Sequence, residues 1–235
     1  MEQQRSELEL LTGSQLVSSP VTMEVLRVLQ QETQPLRDLL SCYRCAMMEM
    51  ETKFRVLDDR FSLQKDRNPI VGISTRLKSV DSIFEKLQRR GFPVSLESIE
   101  ENLNDVAGVR VICPFVDDIY LLVDCLLRQD DVQILQVKDY IRHPKANGYR
   151  SLHLIVSIPI FLQEETKNMR VEVQLRTIAM DFWASLEHRL RYKKDIDPAL
   201  TEKLSLDLGE CADISAMLDQ RMQDIRYRLE AGNGG

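Results

Sequence analysis

Glu172, Gln174 and Arg176 recur at steps of two in Arg170-Val171-Glu172-Val173-Gln174-Leu175-Arg176, so they share one face of any strand that carries them. Val171, Val173 and Leu175 take the core-facing side. Three polar groups on one strand face are too many for a packed layer and suit the floor of a site, with Glu172 as a base or a metal ligand. A second concentration runs from Lys138 to His153, where Lys138, Arg142, Lys145, Arg150, His143 and His153 surround Tyr149, read as the single exposed aromatic of the stretch. Cations for phosphate and a flat face for the base are what a purine nucleotide requires. A solvated charged hairpin accounts for the same residues. Asn147-Gly148 marks a turn, since both residues tolerate positive φ, and the following strand is expected from about Arg150.

Two weaker constellations lie upstream. Ser79, Ser82, Lys86 and Arg90 fall at steps of three and four on one face of an expected helix, with Arg76 and Lys78 just before it. They read either as a polyphosphate surface reinforced by helix N-terminal amides or as an ordinary solvated face. Asp105 at the entry of a strand and Arg110 on one of its faces read as a magnesium ligand and a phosphate or base clamp, or as a plain ion pair.

The elements that must position these groups follow from apolar periodicity. Residues 1–19 read as a flexible arm and 20–66 as two helices, the first after Pro20 and the second opened by Pro35. Met47, Met48 and Met50 on the second helix read as core filler. A helix is expected over 80–90, a short acidic one over 96–102, and another over 116–128. Strands are expected over 105–113, 132–138, 151–158 and 170–176, and a further helix starts at Thr177 and carries Asp181 and a core Trp183. From Pro198 to Leu229 a stripe of Leu204, Leu208, Cys211, Ile214, Leu218, Met222, Ile225 and Leu229 requires cover from the sheet domain, the N-terminal helices or another subunit.

The totals exclude several classes. Thirty-one Lys and Arg against thirty-seven Asp and Glu give a net charge of -6, which is not the balance of a chain that coats nucleic acid, so the local basic clusters carry the meaning. The first nine residues are polar and acidic, unlike a secretory signal, and no apolar run is long enough to cross a bilayer, so a cytoplasmic protein without membrane attachment is expected. Five scattered cysteines, Cys42-x-x-Cys45 included, read as reduced core thiols, and three histidines are too few for a His-rich metal hydrolase.

Taken together, Arg76-x-Lys78-Ser79-x-x-Ser82, Asp105-x-x-Gly108-x-Arg110, Lys145-x-Asn147-Gly148-Tyr149-Arg150-Ser151-x-His153 and Glu172-Val173-Gln174-x-Arg176-Thr177 occur in the order and spacing of the RelA/SpoT synthetase domain. The chain resembles a stand-alone small alarmone synthetase over roughly residues 70 to 192. The resemblance implies an α+β, nucleotidyltransferase-like mixed sheet flanked by helices, with a synthetase domain over 67–195 between N-terminal helices and a C-terminal helical extension, 196–235, that serves as an oligomer interface. It implies transfer of pyrophosphate from ATP to the 3′ hydroxyl of GDP or GTP. Arg76, Lys78, Ser82, Lys86 and Arg110 would hold ATP, and Asp105 and Glu172 would bind Mg²⁺, with Glu172 also taking the 3′ proton. Lys138, Lys145, Asn147, Tyr149, His153, Gln174, Arg176 and Asp181 would hold the acceptor, Tyr149 stacking on guanine. Asp181 stands where many relatives have Asn, and Val71-Gly72-Ile73-Ser74 lacks the aromatic of the product-activated branch. The long relatives place a His-Asp hydrolase domain ahead of the synthetase; that region is short here and holds no His, so product hydrolysis is not expected. A homotetramer is the implied assembly and single-stranded RNA a further candidate partner. The competing reading is a non-catalytic nucleotide- or RNA-binding regulator on the same scaffold.

Overall fold

The computed structural model describes residues 33–63, 67–191 and 198–232; the arm and the helix expected after Pro20 lie outside them. The described residues fall into two compact units, 33–42 with 78–103 and 43–77 with 104–232. In the first unit, α2 (Val80–Arg89) is capped by Ser79, whose Oγ accepts from the Ser82 amide, and it buries Ile83, Phe84 and Leu87. It packs against α3 (Leu96–Asn102), which is capped in the same way by Ser95. Helix α1 (Thr33–Ser62) runs from the first unit into the second, where Tyr43, Ala46, Met50 and Phe54 are buried at steps of three and four. Of the three methionines read as core filler only Met50 is buried. Met47 is half-buried and Met48 exposed, because 47, 48 and 50 cannot share one helical face.

The second unit is built on a five-stranded mixed sheet of order β1-β2-β5-β4-β3. The strands are β1 (Gly72–Leu77), β2 (Ala107–Cys113), β3 (Gln133–Asp139), β4 (Leu152–Phe161) and β5 (Thr166–Thr177). β2 and β5 are parallel and every other pair is antiparallel. Val109, Val111, Leu154, Val156, Val171, Val173 and Leu175 make the buried face, and α4 (Val116–Leu127) packs on β2 and β5 with Ile119, Leu122 and Leu126 buried. The remaining helices are α5 (Ile178–Arg191) and α6 (Pro198–Gly232).

Strand β1 was not among the expected elements. It is an edge strand whose Ser74, Thr75 and Arg76 are exposed, so it lacks the apolar alternation that marks a half-buried strand. The β4–β5 hairpin is longer than expected because Pro159 pairs with Asn168 and polar Thr166–Arg170 continues the ladder. The Asn-Gly turn does not close a tight hairpin. Only Gly148 of the pair has positive φ, +83°, and twelve residues separate β3 from β4.

Among the described residues most of the C-terminal stripe finds no cover within the chain, which leaves another subunit among its expected covers. Ile214, Leu218, Met222, Ile225 and Leu229 are all exposed, and α6 instead buries Ala212, Asp219, Gln223 and Arg226. Its far end is held by Asp118 of α4, fully buried, which accepts from Arg226 Nη1 at 3.2 and 3.3 Å and from Arg67 Nε at 2.8 Å. Removing the carboxylate takes a buried partner from two guanidinium groups and leaves Arg226 with Glu230 alone. Asp118→Ala is therefore expected to cost about 3 kcal/mol, the lower end for a buried pair because the Arg67 side chain can rehydrate, read as a lower urea midpoint at unchanged slope. All five cysteines are free thiols. Burial, with the Asp118 charge, pushes the Cys113 thiol far up and keeps it inert, whereas Cys211 is exposed rather than in the core.

Candidate active site

The register of the sheet assembles the polar groups. Ser74, Arg110, Gln174, His153 and Lys138 are successive ladder partners across β1, β2, β5, β4 and β3 and so form one row on one face. Arg76, Gly108 and Glu172 form the adjacent row, and Ile112 and Arg176 pair one step to the other side. Residues from four expected motifs thus meet on the face opposite the core, as the alternation of β5 requires.

Four of these side chains and Tyr149, from the loop before β4, close a hydrogen-bonded ring. Gln174 Nε2 donates to Glu172 Oε2 at 2.8 Å, and Arg176 Nη2 donates to Gln174 Oε1 at 3.0 Å and to Tyr149 Oη at 2.7 Å. Tyr149 Oη lies 2.8 Å from His153 Nε2, and His153 Nδ1 lies 3.3 Å from Glu172 Oε1. Because the Glu172 carboxylate can only accept, His153 turns Nδ1–H toward it, while the Tyr149 hydroxyl accepts from Arg176 and meets Nε2 on the other side of the ring. Burial pushes the Glu172 carboxyl up, but the hydrogen bond and charge of His153 and the hydrogen bond from Gln174 outweigh it. The Asp105 charge opposes them only in part, and the net effect holds the carboxyl below its ordinary range. A carboxyl depressed in the fold contributes stability that is complete above its unfolded value of about 4.3 and is lost as pH falls through the lower folded value. Glu172 is therefore ionised throughout the neutral range.

Beside the ring lies a cavity of about 330 Å³ lined by Arg76, Arg110, Tyr149 and Arg176 from the sheet side and by Ala184, Ser185, Glu187, His188 and Arg189 of α5. Arg110 is half-buried; its desolvation and the positive charge of Arg176 lower its proton affinity, against the compensating Asp181, so an anion entering the cavity relieves a real repulsion. Asp181 Oδ1 receives Arg176 Nη1 at 3.0 Å and lies 3.5 Å from Arg110 Nη1. The residues expected to hold ATP, Arg76 and Arg110, and the aromatic expected to hold the acceptor, Tyr149, open onto one space. Lys78, Ser82 and Lys86 belong to the other compact unit, where Ser82 and Lys86 stand one turn apart on α2.

The loop between β3 and β4 is pinned at its start by Asp139, whose Oδ1 accepts from the amides of Ile141 and Arg142 and whose Oδ2 accepts from Tyr120 Oη at 3.0 Å. Tyr149 is not its single aromatic, nor is it fully exposed. Tyr140 packs edge-on to Tyr149 and to His153, and Lys145 Nζ sits 4.6 Å from both tyrosine ring centres. Asn147 Oδ1 accepts from the Tyr149 amide, and its Nδ2 donates to Glu187, so its contacts shape the turn and tie it to α5. Tyr140 and the α5 lining were not anticipated. The helical recurrence of Asp181, Ala184, Ser185 and His188 was the available signal for the second, whereas Tyr140 had no spacing to mark it.

No cluster of three or more His, Cys, Asp and Glu able to hold a metal occurs among the described residues. Asp105 and Glu172 are nevertheless close enough for one charge to perturb the other, and a pair of carboxylates suits Mg²⁺, which completes its octahedron with water and phosphate oxygens. No helix among the described residues is long and apolar enough to cross a membrane.

Comparison with known proteins agrees with this geometry. Residues 75–197 match the model described as a region found in RelA / SpoT proteins. GTP pyrophosphokinase YwaC of Bacillus subtilis is 42% identical over 191 residues, covering 81% of this chain and 90% of the relative. GTP pyrophosphokinase YjbM of the same organism is 38% identical over 188 residues, 80% of this chain and 87% of the relative. Among solved structures, small alarmone synthetase 1 of Bacillus subtilis bound to its product pppGpp superposes with a TM-score of 0.76 at 36% identity, over 83% of this chain and 98% of that one.

Proposed function

The chain belongs to the RelA/SpoT family, and from that membership and the ring around Glu172 we infer that it is a (p)ppGpp synthetase. It transfers the β,γ-pyrophosphate of ATP to the 3′ hydroxyl of GDP or GTP, releasing AMP and forming the stringent-response alarmone. The observation that carries this reading is an ionised, half-buried carboxylate on the same sheet face as three arginines and an aromatic platform.

The side chains divide the work. Arg76 and Arg110 present planar guanidinium groups to the adenine and phosphates of ATP, and the family resemblance implies Lys78, Ser82 and Lys86 as further ATP ligands. Tyr149 offers its ring to guanine, Asp181 accepts from the base N–H groups, and Lys138 and Lys145 neutralise the acceptor phosphates, with His153 beside them. Asn147 holds the turn beneath them. Glu172 accepts the 3′ proton as the 3′ oxygen bonds to the β-phosphorus and the bond to the α-phosphate oxygen breaks. Gln174 and His153 aim its carboxylate. Asp105 and Glu172 are the groups that would hold Mg²⁺, which when bound neutralises phosphate charge.

We also infer a cytoplasmic homotetramer. The outer faces of α5 and α6 expose Ile178, Phe182, Ile214, Leu218 and Met222 around an apolar groove of about 610 Å³, a surface that another copy of the chain would cover. Protein incubated with ATP, Mg²⁺ and GDP or GTP should yield AMP and guanosine 3′-pyrophosphate, and light scattering of that sample should give four copies. Folded protein that makes no product over a range of metals and acceptors overturns the synthetase reading; a monomer overturns the assembly.

A further inference from the structure

The side of α6 that faces the sheet unit is not its apolar stripe but Ala212, Asp219, Gln223 and Arg226, and two of these four meet the acceptor loop. Ala212 lies against Gly148 so closely that a Cβ built on the glycine would stand 2.4 Å from the Ala212 Cβ. Asp219 Oδ2 accepts from Thr177 Oγ1 at 2.9 Å and faces Arg150 Nη1 at 3.7 Å. Tyr149 is therefore held by both its neighbours in the chain, Gly148 seated on Ala212 and Arg150 facing Asp219. Thr177, the next residue after Arg176, is tied to the same helix. Trp183 completes the arrangement: it packs with Ala212, Leu208 and Tyr149 and donates from Nε1 to the Leu208 carbonyl at 2.9 Å.

We propose that α6 is a strap that positions the acceptor loop, with Ala212 and Asp219 as positioning residues that set where the Tyr149 ring stands for the acceptor base. The proposal rests on Tyr149 being the acceptor's platform. The short side chain at 212 and the absent one at 148 are two halves of one close approach: Gly148 needs its positive φ to turn the loop, and Ala212 leaves the backbone room to do so. Arg226 and Gln223, by contrast, reach Asp118 and the Asp117 amide on α4. The strap thus has a functional end and an anchoring end, and disturbing them has different consequences.

Ala212→Leu, Ala212→Val, Ala212→Ser and Arg226→Met should be compared with the parent in two assays. One is the KM for GDP and for ATP. The other is the emission of Trp183, the single tryptophan, during titration with GDP in the presence of α,β-methylene-ATP, which reports acceptor binding without turnover. Ala212→Leu is expected to raise the GDP KM and the fluorescence Kd about tenfold while the ATP KM stays within about twofold, since misplacing a positioned group costs this much without touching the other substrate. Ala212→Val should fall between, and it carries the test if the leucine variant does not fold. Ala212→Ser should restore the parent values. Arg226→Met should lower the melting temperature yet leave the GDP KM unchanged. Unchanged GDP binding in the valine and leucine variants, equal losses for both substrates, or an acceptor defect in Arg226→Met would overturn the proposal. If the parent binds GDP but forms no product, the synthetase reading fails while the fluorescence series still decides the strap.

Discussion

Glu172→Gln is expected to lower kcat about a thousandfold, the effect of losing a positioned base, and to raise the Mg²⁺ concentration needed for activity, since the same carboxylate would hold the metal. The substitution is nearly isosteric, so its damage is electronic and local. In the parent, Glu172 accepts from Gln174 on Oε2 and faces His153 Nδ1 with Oε1. A glutamine that keeps the first bond turns its own N–H₂ toward His153 Nδ1–H, two donors facing each other. One amide thus removes the base and breaks the ring. Because burial is outweighed by hydrogen bonds and the Glu172 carboxyl stays ionised well below neutrality, any loss of rate between pH 6 and 8 belongs to another group, and the variant's residual rate should keep the parent's profile there. A kcat within tenfold of the parent would remove Glu172 from the centre of the reaction.

The mixed sheet came from the family resemblance, but the polar face of β5 was legible because period-two alternation is a geometric rule: once Val171, Val173 and Leu175 are inside, Glu172, Gln174 and Arg176 are outside together. The site's cross-strand partners were legible only in part. The register that sets Arg110 beside Gln174 and Gln174 beside His153 comes from pairing between segments far apart in sequence, which no local pattern encodes. β1 went unrecognised because an edge strand need not bury alternate residues. The C-terminal stripe called for cover by the sheet domain, the N-terminal helices or another subunit, and its pattern alone did not choose between them. A helix is ordinarily expected to bury its apolar side, but α6 uses Asp219 and Arg226 against Thr177, Arg150 and Asp118, and it keeps the apolar side outward. Specific polar partners, which a hydropathy pattern does not register, decided the orientation.

Arg176 is the residue whose replacement by its nearest chemical relative should be least tolerated. Its side chain is buried, and its fork spans Tyr149 Oη, Gln174 Oε1 and Asp181 Oδ1. A lysine carries the charge but presents a single nitrogen, which cannot bridge the tyrosine hydroxyl on one side and the carboxylate on the other. With Arg176→Lys, Tyr149 keeps only His153 at its hydroxyl and Asp181 keeps only the longer contact to Arg110. kcat/KM for the acceptor is then expected to fall about a hundredfold, roughly 2.7 kcal/mol, with the ATP KM within about threefold. A double substitution separates positioning from mere charge balance. Arg176→Met alone leaves Asp181 short of its nearer cation and should lower stability by about 3 kcal/mol; adding Asp181→Asn removes the stranded charge and should recover much of that loss. If the pair served only to neutralise itself, activity would return with stability. If Arg176 holds Tyr149 and Gln174 in place for the acceptor and the base, the double variant melts near the parent and remains as slow as Arg176→Met, and that is the expected result.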